Sequence, residues 1–229
     1  MINRLLILAA ITALTVAPAT ASVPLVVNQT YNTGYDGSTA LAAGQSDLYF
    51  NLYSYVPTPT LTAPVVASPI PADWVTTAGA QWISPTENQS SSPSPAEGDP
   101  AGTYDYNALF ATNFLVPTQI TVTGSFAADN DVSLIVDGTT VMSLADPASG
   151  SLSSFDYTFT VFSGARFTPI DFVVNNLDNT GGSSNPTGLI VSNLRFSTTS
   201  TPEPSTYAML FLGLGSLLMV KRVRRAVSL

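Results

Sequence analysis

Three oxygen-bearing side chains in a row, Asp129-Asn130-Asp131, stand between two apolar runs. A turn there would gather them, and two readings follow. Carboxylate and amide oxygens on a turn can surround Ca²⁺ with help from a nearby carbonyl, which makes Asp129 and Asp131 candidate ligands of a structural ion. Asx side chains also bond to their own backbone in turns with no metal at all. Asn175, Asn176, Asp178 and Asn179 pose the same choice. Aromatic residues offer a different chemistry, because ring faces stack on sugar C–H groups while Asn, Asp or Arg bond to the hydroxyls. Trp74, Trp82, Tyr104 and Tyr106 are the exposed-loop candidates for such a contact. Against this, Trp82 and Tyr106 alternate into predicted strands and suit a core.

What is missing narrows the chemistry further. The chain has neither His nor Cys, so a Ser-His-Asp triad, a His general base, the usual zinc shells, a thiol nucleophile and disulfide staples are all excluded. A hydrolase can still work with two carboxylates of different pKa. No sequence feature singles out one such pair, and there is no Gly-rich phosphate loop or nucleophile elbow. The expectation is a non-catalytic protein with no cofactor beyond a structural Ca²⁺. Of the seven basic residues only Arg166 and Arg195 lie away from the two ends, whereas every acidic residue but Glu203 does. A surface of that sign repels phosphate backbones, so no nucleic acid is expected as a partner.

Both ends read as addresses rather than as fold. Met1 to Ala21 starts with Arg4, continues through the apolar run 5–11 and closes on Ala19-Thr20-Ala21. This is the pattern of a signal peptide with small residues at the −3 and −1 positions, Ala19 and Ala21, and Ser22 as first mature residue. Its partners would be the Sec translocon and a signal peptidase. At the other end Pro202-Glu203-Pro204 precedes an apolar segment, 205–220, and then Lys221, Arg222, Arg224 and Arg225. The two prolines hold the first part extended. The apolar run 207–220 would reach roughly 21 Å as a helix, a marginal membrane span that needs Ser205 and Thr206 or a thinned bilayer. The basic cluster behind it favours the cytoplasmic side and so acts as a stop-transfer signal.

Motif, apolar helix and basic stop in that order resemble the PEP-CTERM sorting signal of Gram-negative bacteria that make exopolysaccharide, over Thr201 to Arg225. The resemblance implies recognition of Pro202-Glu203-Pro204 by an exosortase, a membrane cysteine protease. The protein would pass through an inner-membrane intermediate, held by its C-terminal helix with the domain outside the cytoplasm. It would end at the cell surface or in the extracellular matrix.

Positioning any site falls to the middle of the chain, where period-two alternation dominates. Ile120, Val122, Gly124 and Phe126 share one strand face, Val132, Leu134 and Val136 another, and Phe155, Tyr157, Phe159 and Val161 a third. Residues 170–174 and 189–196 supply further strands, and Asp137-Gly138 suits a type I′ hairpin turn. The fold class predicted is all-β, a sandwich or barrel flanked by the signal helix and a C-terminal transmembrane helix. Residues 48–53 read as a strand. Val56 to Pro71 holds five prolines and reads as an extended connector barred from a central sheet position. Gln89 to Pro100 reads as a mobile Ser/Pro/Gly loop.

From Trp82-Ile83-Ser84-Pro85 onward, Gly102 to Tyr106, Asp129-Asn130-Asp131 before Val132 to Gly138, Phe172 to Asn176, and Asn185-Pro186-Thr187-Gly188-Leu189 follow one another. That sequence of pieces resembles the galactose-binding-like jelly rolls found in PEP-CTERM proteins, over Gln81 to Phe196. Arg166-Phe167-Thr168-Pro169 departs from the Gly-x-Asn turn of that group. The resemblance implies a jelly-roll β-sandwich. The expected organisation is 1–21 signal peptide, 22–80 N-terminal strands and Pro-rich connector, 81–198 jelly-roll core, and 199–229 sorting signal. The expected role is a surface or matrix protein that serves as an adhesion, matrix or glycan-contacting module, with exopolysaccharide as a candidate partner. A small carbohydrate-active hydrolase using Asp/Glu and a Ca-stabilised domain with no ligand are the alternatives.

Overall fold

The computed structural model describes residues 22–55, 59–90, 97–177, 184–199 and 211–212. The signal peptide and almost all of the sorting tail therefore lie outside the described residues; within the tail, Phe211 and Leu212 are helical. No helix among the described residues is long and apolar enough to cross a membrane.

The alternating runs become β1 (Asn51–Ser54), β2 (Gly102–Phe114), β3 (Thr118–Asp129), β4 (Asp131–Val136), β5 (Thr139–Leu144), β6 (Ser153–Val161), β7 (Gly164–Asn176) and β8 (Gly188–Thr199). They form two sheets. One has the order β5-β4-β7-β2-β1 with Thr60–Thr62 on its edge; the other has β6-β3-β8 followed by Ile83–Ser84 and Val65–Val66, with Thr30–Tyr31 also on β8. Apart from the β4–β5 hairpin, each connection from β2 to β8 carries the chain from one sheet to the other. Every pairing between the labelled strands is antiparallel. This is a jelly-roll β-sandwich, as expected.

One side of each strand faces the opposing sheet. Tyr104, Tyr106, Ala108 and Phe110 from β2 meet Ile120, Val122 and Phe126 from β3 and Leu189, Val191 and Phe196 from β8 in a single buried cluster. Phe110 stacks on Phe196 with ring centroids 4.1 Å apart, and Phe126 meets Phe172 edge-on at 5.2 Å. Each such ring contributes about 1.5–3 kcal/mol by leaving water. Gly124 has a packing reason for lacking a side chain, since a Cβ there would stand 3.0 Å from the Phe155 ring. The same spot carries a β-bulge between Thr123 and Ser125. Tyr157 and Phe159, expected on the core face, are only partly buried because β6 is the outer strand of its sheet.

Asp137 and Gly138 both have positive φ, 48° and 76°, as a type I′ turn requires. The Arg166 to Pro169 stretch, which departs from the family turn, is not a turn at all but part of β7. Pro169 is tolerated in this central strand because its nitrogen faces past the end of β4. Its carbonyl accepts from the Asp137 amide of the β4–β5 turn, and in an antiparallel ladder N and O of one residue face the same side. The Pro-rich stretch behaves as its composition demands, with Thr60–Thr62 and Val65–Val66 occupying only sheet edges. The Gln89 to Pro100 segment departs from its reading as a mobile loop. Gln89 and Asp99 are buried and bonded to each other at 2.6 Å, and Glu97–Gly98 pairs with Ser184–Asn185; residues 91–96 lie outside the described ones.

Candidate functional site

Two strands end and begin at the Asp129-Asn130-Asp131 step, so the turn projects from one end of the sandwich. The Asp129–Asn130 peptide is cis. Around it the loops 71–75 and 146–149 and the segment 185–187 close on a cavity of about 370 Å³, lined by Asp73, Trp74, Asp129, Asn130, Asp146 and Asn185 among others.

Asp129 is the fixed point of the site. Trp74 Nε1 donates to its Oδ2 at 3.0 Å, Asn130 Nδ2 donates to its Oδ1, and Thr187 Oγ1 donates to its carbonyl at 2.7 Å. Thr187 is held in turn by Gln89 Oε1, which accepts from its amide at 2.9 Å. Trp74 packs against Trp82 with centroids 4.1 Å apart, and Trp82 Nε1 donates to the Val75 carbonyl. Gly188 completes the cradle, because a Cβ there would come within 3.2 Å of the Trp74 ring and 3.0 Å of the Ile83 carbonyl. The Asn185-Pro186-Thr187-Gly188 motif is thus the wall that seats Trp74 and Asp129.

The electrostatics are one-sided, since among the described residues no basic side chain lines the cavity. Burial pushes the Asp129 carboxyl up to about 7, with the charges of Asp146 and Asp73 adding to it and the Trp74 and Asn130 donors opposing. Asp73 and Asp146 are exposed and free to accept hydrogen bonds from a ligand's hydroxyl groups.

Several expected sites take different places. Trp74, Trp82 and Tyr104 are 5%, 2% and 1% exposed, and Tyr106 is also fully buried. Their rings are core, so none offers an open face to a sugar, and of the four only Trp74 borders the cavity. Tyr104 spends its hydroxyl on the Pro100 carbonyl at 2.7 Å. Asp129 and Asp131 accept from different donors. Asp131 Oδ1 accepts from the Asp146 amide at 3.2 Å while Asp129 bonds to Trp74. Among the described residues no three Asp or Glu side chains are gathered in one metal-holding group. Of the second cluster only Asn175 and Asn176 are described. Asn176 Nδ2 donates to the Asp99 and Pro100 carbonyls, and Asp178 and Asn179 lie outside the described residues. Ser22 Oγ accepts from Asn51 Nδ2 at 2.9 Å. Ala19, Ala21, Pro202, Glu203, Pro204, Lys221, Arg222, Arg224 and Arg225 fall outside the described residues.

Sequence reasoning missed a polar band on the outer face of the sheet that contains β1, β2 and β7. Tyr53 stands opposite Asp105, and Asn107 opposite Asp171. Burial, then the neighbouring Asp171 charge, pushes Asp105 up to about 7, and its Oδ1 has no hydrogen-bond partner. Asn107 Nδ2 donates to Asp171. The polar positions alternate with core residues along β2, a signal readable in principle, but solvated strand faces look the same.

The decisive comparison concerns the tail. The model of the PEP-CTERM protein-sorting motif matches residues 200–225. This chain carries a PEP-CTERM sorting motif. The match begins where β8 ends, so the PEP-CTERM segment follows the sandwich directly. No curated protein matches the chain. Solved structures similar to it include the Podospora anserina GH26-CBM35 β-(1,4)-mannanase, at 12% identity and TM-score 0.31, over 68% of this chain and 29% of that one. A family 35 carbohydrate-binding module from an environmental isolate is similar at 12% identity and TM-score 0.28, over 66% and 96%. The carbohydrate-binding module CBM36 in complex with calcium and xylotriose is similar at 18% identity and TM-score 0.26, over 44% and 90%. The chain spans less than a third of the mannanase's length.

Proposed function

We propose that this is a non-catalytic exported protein, handed through its PEP-CTERM tail to an exosortase-type enzyme and placed at the cell surface or in the extracellular matrix, where its jelly roll contacts glycan. The sorting motif at 200–225 carries the first part. On this reading residues 1–21 are removed at Ser22, the apolar segment 205–220 holds the domain at the inner membrane with Lys221 to Arg225 inside, and processing then frees it. Mass spectrometry of the mature protein tests this. The expected result is an N-terminus at Ser22 and loss of the residues after Pro202-Glu203-Pro204; retention of Lys221 to Leu229 would replace sorting by a plain anchor.

The cavity beside Asp129 supports the glycan part. Its acidic and amide lining, with no basic side chain among the described residues, suits a neutral polyhydroxylated ligand whose hydroxyls donate to Asp73 and Asp146. The full chain on a glycan array, and titrated with the exopolysaccharide of its host, should bind. Asp73→Asn with Asp146→Asn should weaken that binding about tenfold, the loss of one or two charge-assisted hydrogen bonds. Binding to no glycan, or binding indifferent to both substitutions, removes the cavity from the account. Turnover of the polysaccharide would favour the Asp/Glu hydrolase instead.

A further inference from the structure

The end of the sandwich opposite the Asp129 turn has a different surface. Strand β3 runs from one end to the other, Thr118 to Asp129, a rise of roughly 35–40 Å. Where it begins, two sheet-crossing turns lie side by side, because Thr118 pairs with Val161 and Phe114 with Gly164. The first turn bears Leu115, 93% exposed, and Val116; the second bears Phe162, 64% exposed. Phe167 is exposed three residues further along β7. Large apolar side chains at loop tips are ordinary singly, but here they are grouped at one end.

Charge separates this end from the rest as clearly as hydropathy does. The segments 111–121, 158–168 and 196–199 contain no carboxylate, in a chain with fifteen acidic residues. Asp137 on the β4–β5 turn is paired with Arg166, whose Nη2 reaches its Oδ1 at 2.8 Å. The chain also leaves the fold here. Thr199 pairs with Gln119, two positions from Pro117, and the apolar run begins at Tyr207. Residues 200–206 can span at most roughly 25 Å.

From the shared position of the apolar tips, the carboxylate-free surface and the chain exit, we infer that Leu115, Val116 and Phe162 rest in the interfacial layer of the bilayer while the tail is inserted. This rests on the reading of the tail as a membrane segment. A short tether brings this end to the lipid, apolar tips enter the headgroup boundary as amphipathic surfaces do, and the lack of carboxylates avoids repulsion from anionic lipid. The domain is thereby oriented, with the Asp129 cavity pointing away from the membrane.

The chain has no Cys, so single labels can be placed cleanly. Ser163→Cys reports on the tips, Ser149→Cys on the cavity end and Ser216→Cys on the tail. Each full-length variant carries an environment-sensitive fluorophore in phosphatidylethanolamine and phosphatidylglycerol vesicles that contain headgroup-nitroxide lipid. Labels at 163 and 216 should be quenched several-fold more than the label at 149. Adding Leu115→Asp and Phe162→Asp should abolish quenching at 163 and leave 216 unchanged. Quenching at 216 with none at 163 overturns the inference and spares the tail reading. No quenching at 216 overturns the tail reading, and the inference falls with it. Quenching at 163 that survives the two Asp substitutions makes the tether, not the side chains, the cause and overturns the inference. Cross-linking of two copies through position 163 would make the patch a protein interface and likewise overturn it.

Discussion

The two ends of this sandwich are built from the same strands and made of opposite materials. At the Asp129 end, polar groups are buried and tied to one another: a carboxylate under two tryptophans, a threonine on its carbonyl, a glutamine behind the threonine. At the other end apolar groups are exposed and tied to nothing, with Leu115 and Phe162 in the open. The buried polar end must lose stability when any member is removed, because the remaining partners stay buried and unsatisfied. The exposed apolar end contributes little to stability and is free to be specified by what it touches.

The sharpest way to break this contrast is Trp74→Ala. It deletes a ring that packs on Trp82 and leaves Asp129 without its indole donor, so a loss of about 3–5 kcal/mol is expected, read as a large fall in the thermal midpoint. A small fall would mean that the cradle is not part of the cooperative core. Acidity tests the same end more gently. Asp129 and Asp105 have folded pKa values of about 7, above the unfolded value of about 3.9. Their stabilisation is complete below pH 4 and disappears as pH rises through 7. With both groups partly screened, the loss is on the order of 1–2 kcal/mol each. The midpoint should therefore be higher at pH 5 than at pH 8, and Asp129→Asn with Asp105→Asn should reduce the difference, leaving the part due to buried Asp47, which burial pushes up to about 6; a midpoint that rises toward pH 8 would contradict the burial argument.

Substitution at the other end should scarcely register. Leu115→Asp with Phe162→Asp should shift stability by less than about 0.5 kcal/mol, as urea unfolding can measure, and a larger loss would show that these tips pack on something in the free domain. Smallest of all is the effect of a chelator. Asp129 and Asp131 serve separate N–H donors, so EDTA should leave the melting midpoint unchanged, and a fall would reinstate a bound cation.

The jelly roll was readable because its central strands alternate cleanly, as in Val132, Leu134 and Val136, and because Asp137-Gly138 specifies its own turn. The site was readable only in part. Asp129-Asn130-Asp131 marked the turn correctly, but nothing in three consecutive Asx residues says that their side chains will face different neighbours. Trp74 and Trp82 looked like candidate platforms because loops are usually exposed, and only the approach of Gly188 to Trp74 explains how loop tryptophans become core. Asp73 and Asp146 are lone acids in separate loops, gathered by sheet-to-sheet crossings that no local pattern encodes. Gln89 and Asp99 were hidden by the Ser and Pro residues between them, whose composition suggests motion even though both flanks are pinned.

Outside its terminal segments the chain offers trypsin two targets, Arg166 and Arg195. Both sit within long paired strands, Arg166 opposite Thr112 and Arg195 opposite Thr123 and Thr30. A protease must bind its substrate as an extended single strand, so neither bond is accessible until a sheet is peeled open. The folded domain should outlast digestion that trims Lys221 to Arg225, which makes a common laboratory enzyme a reporter of the tail alone and of which side of a membrane it occupies.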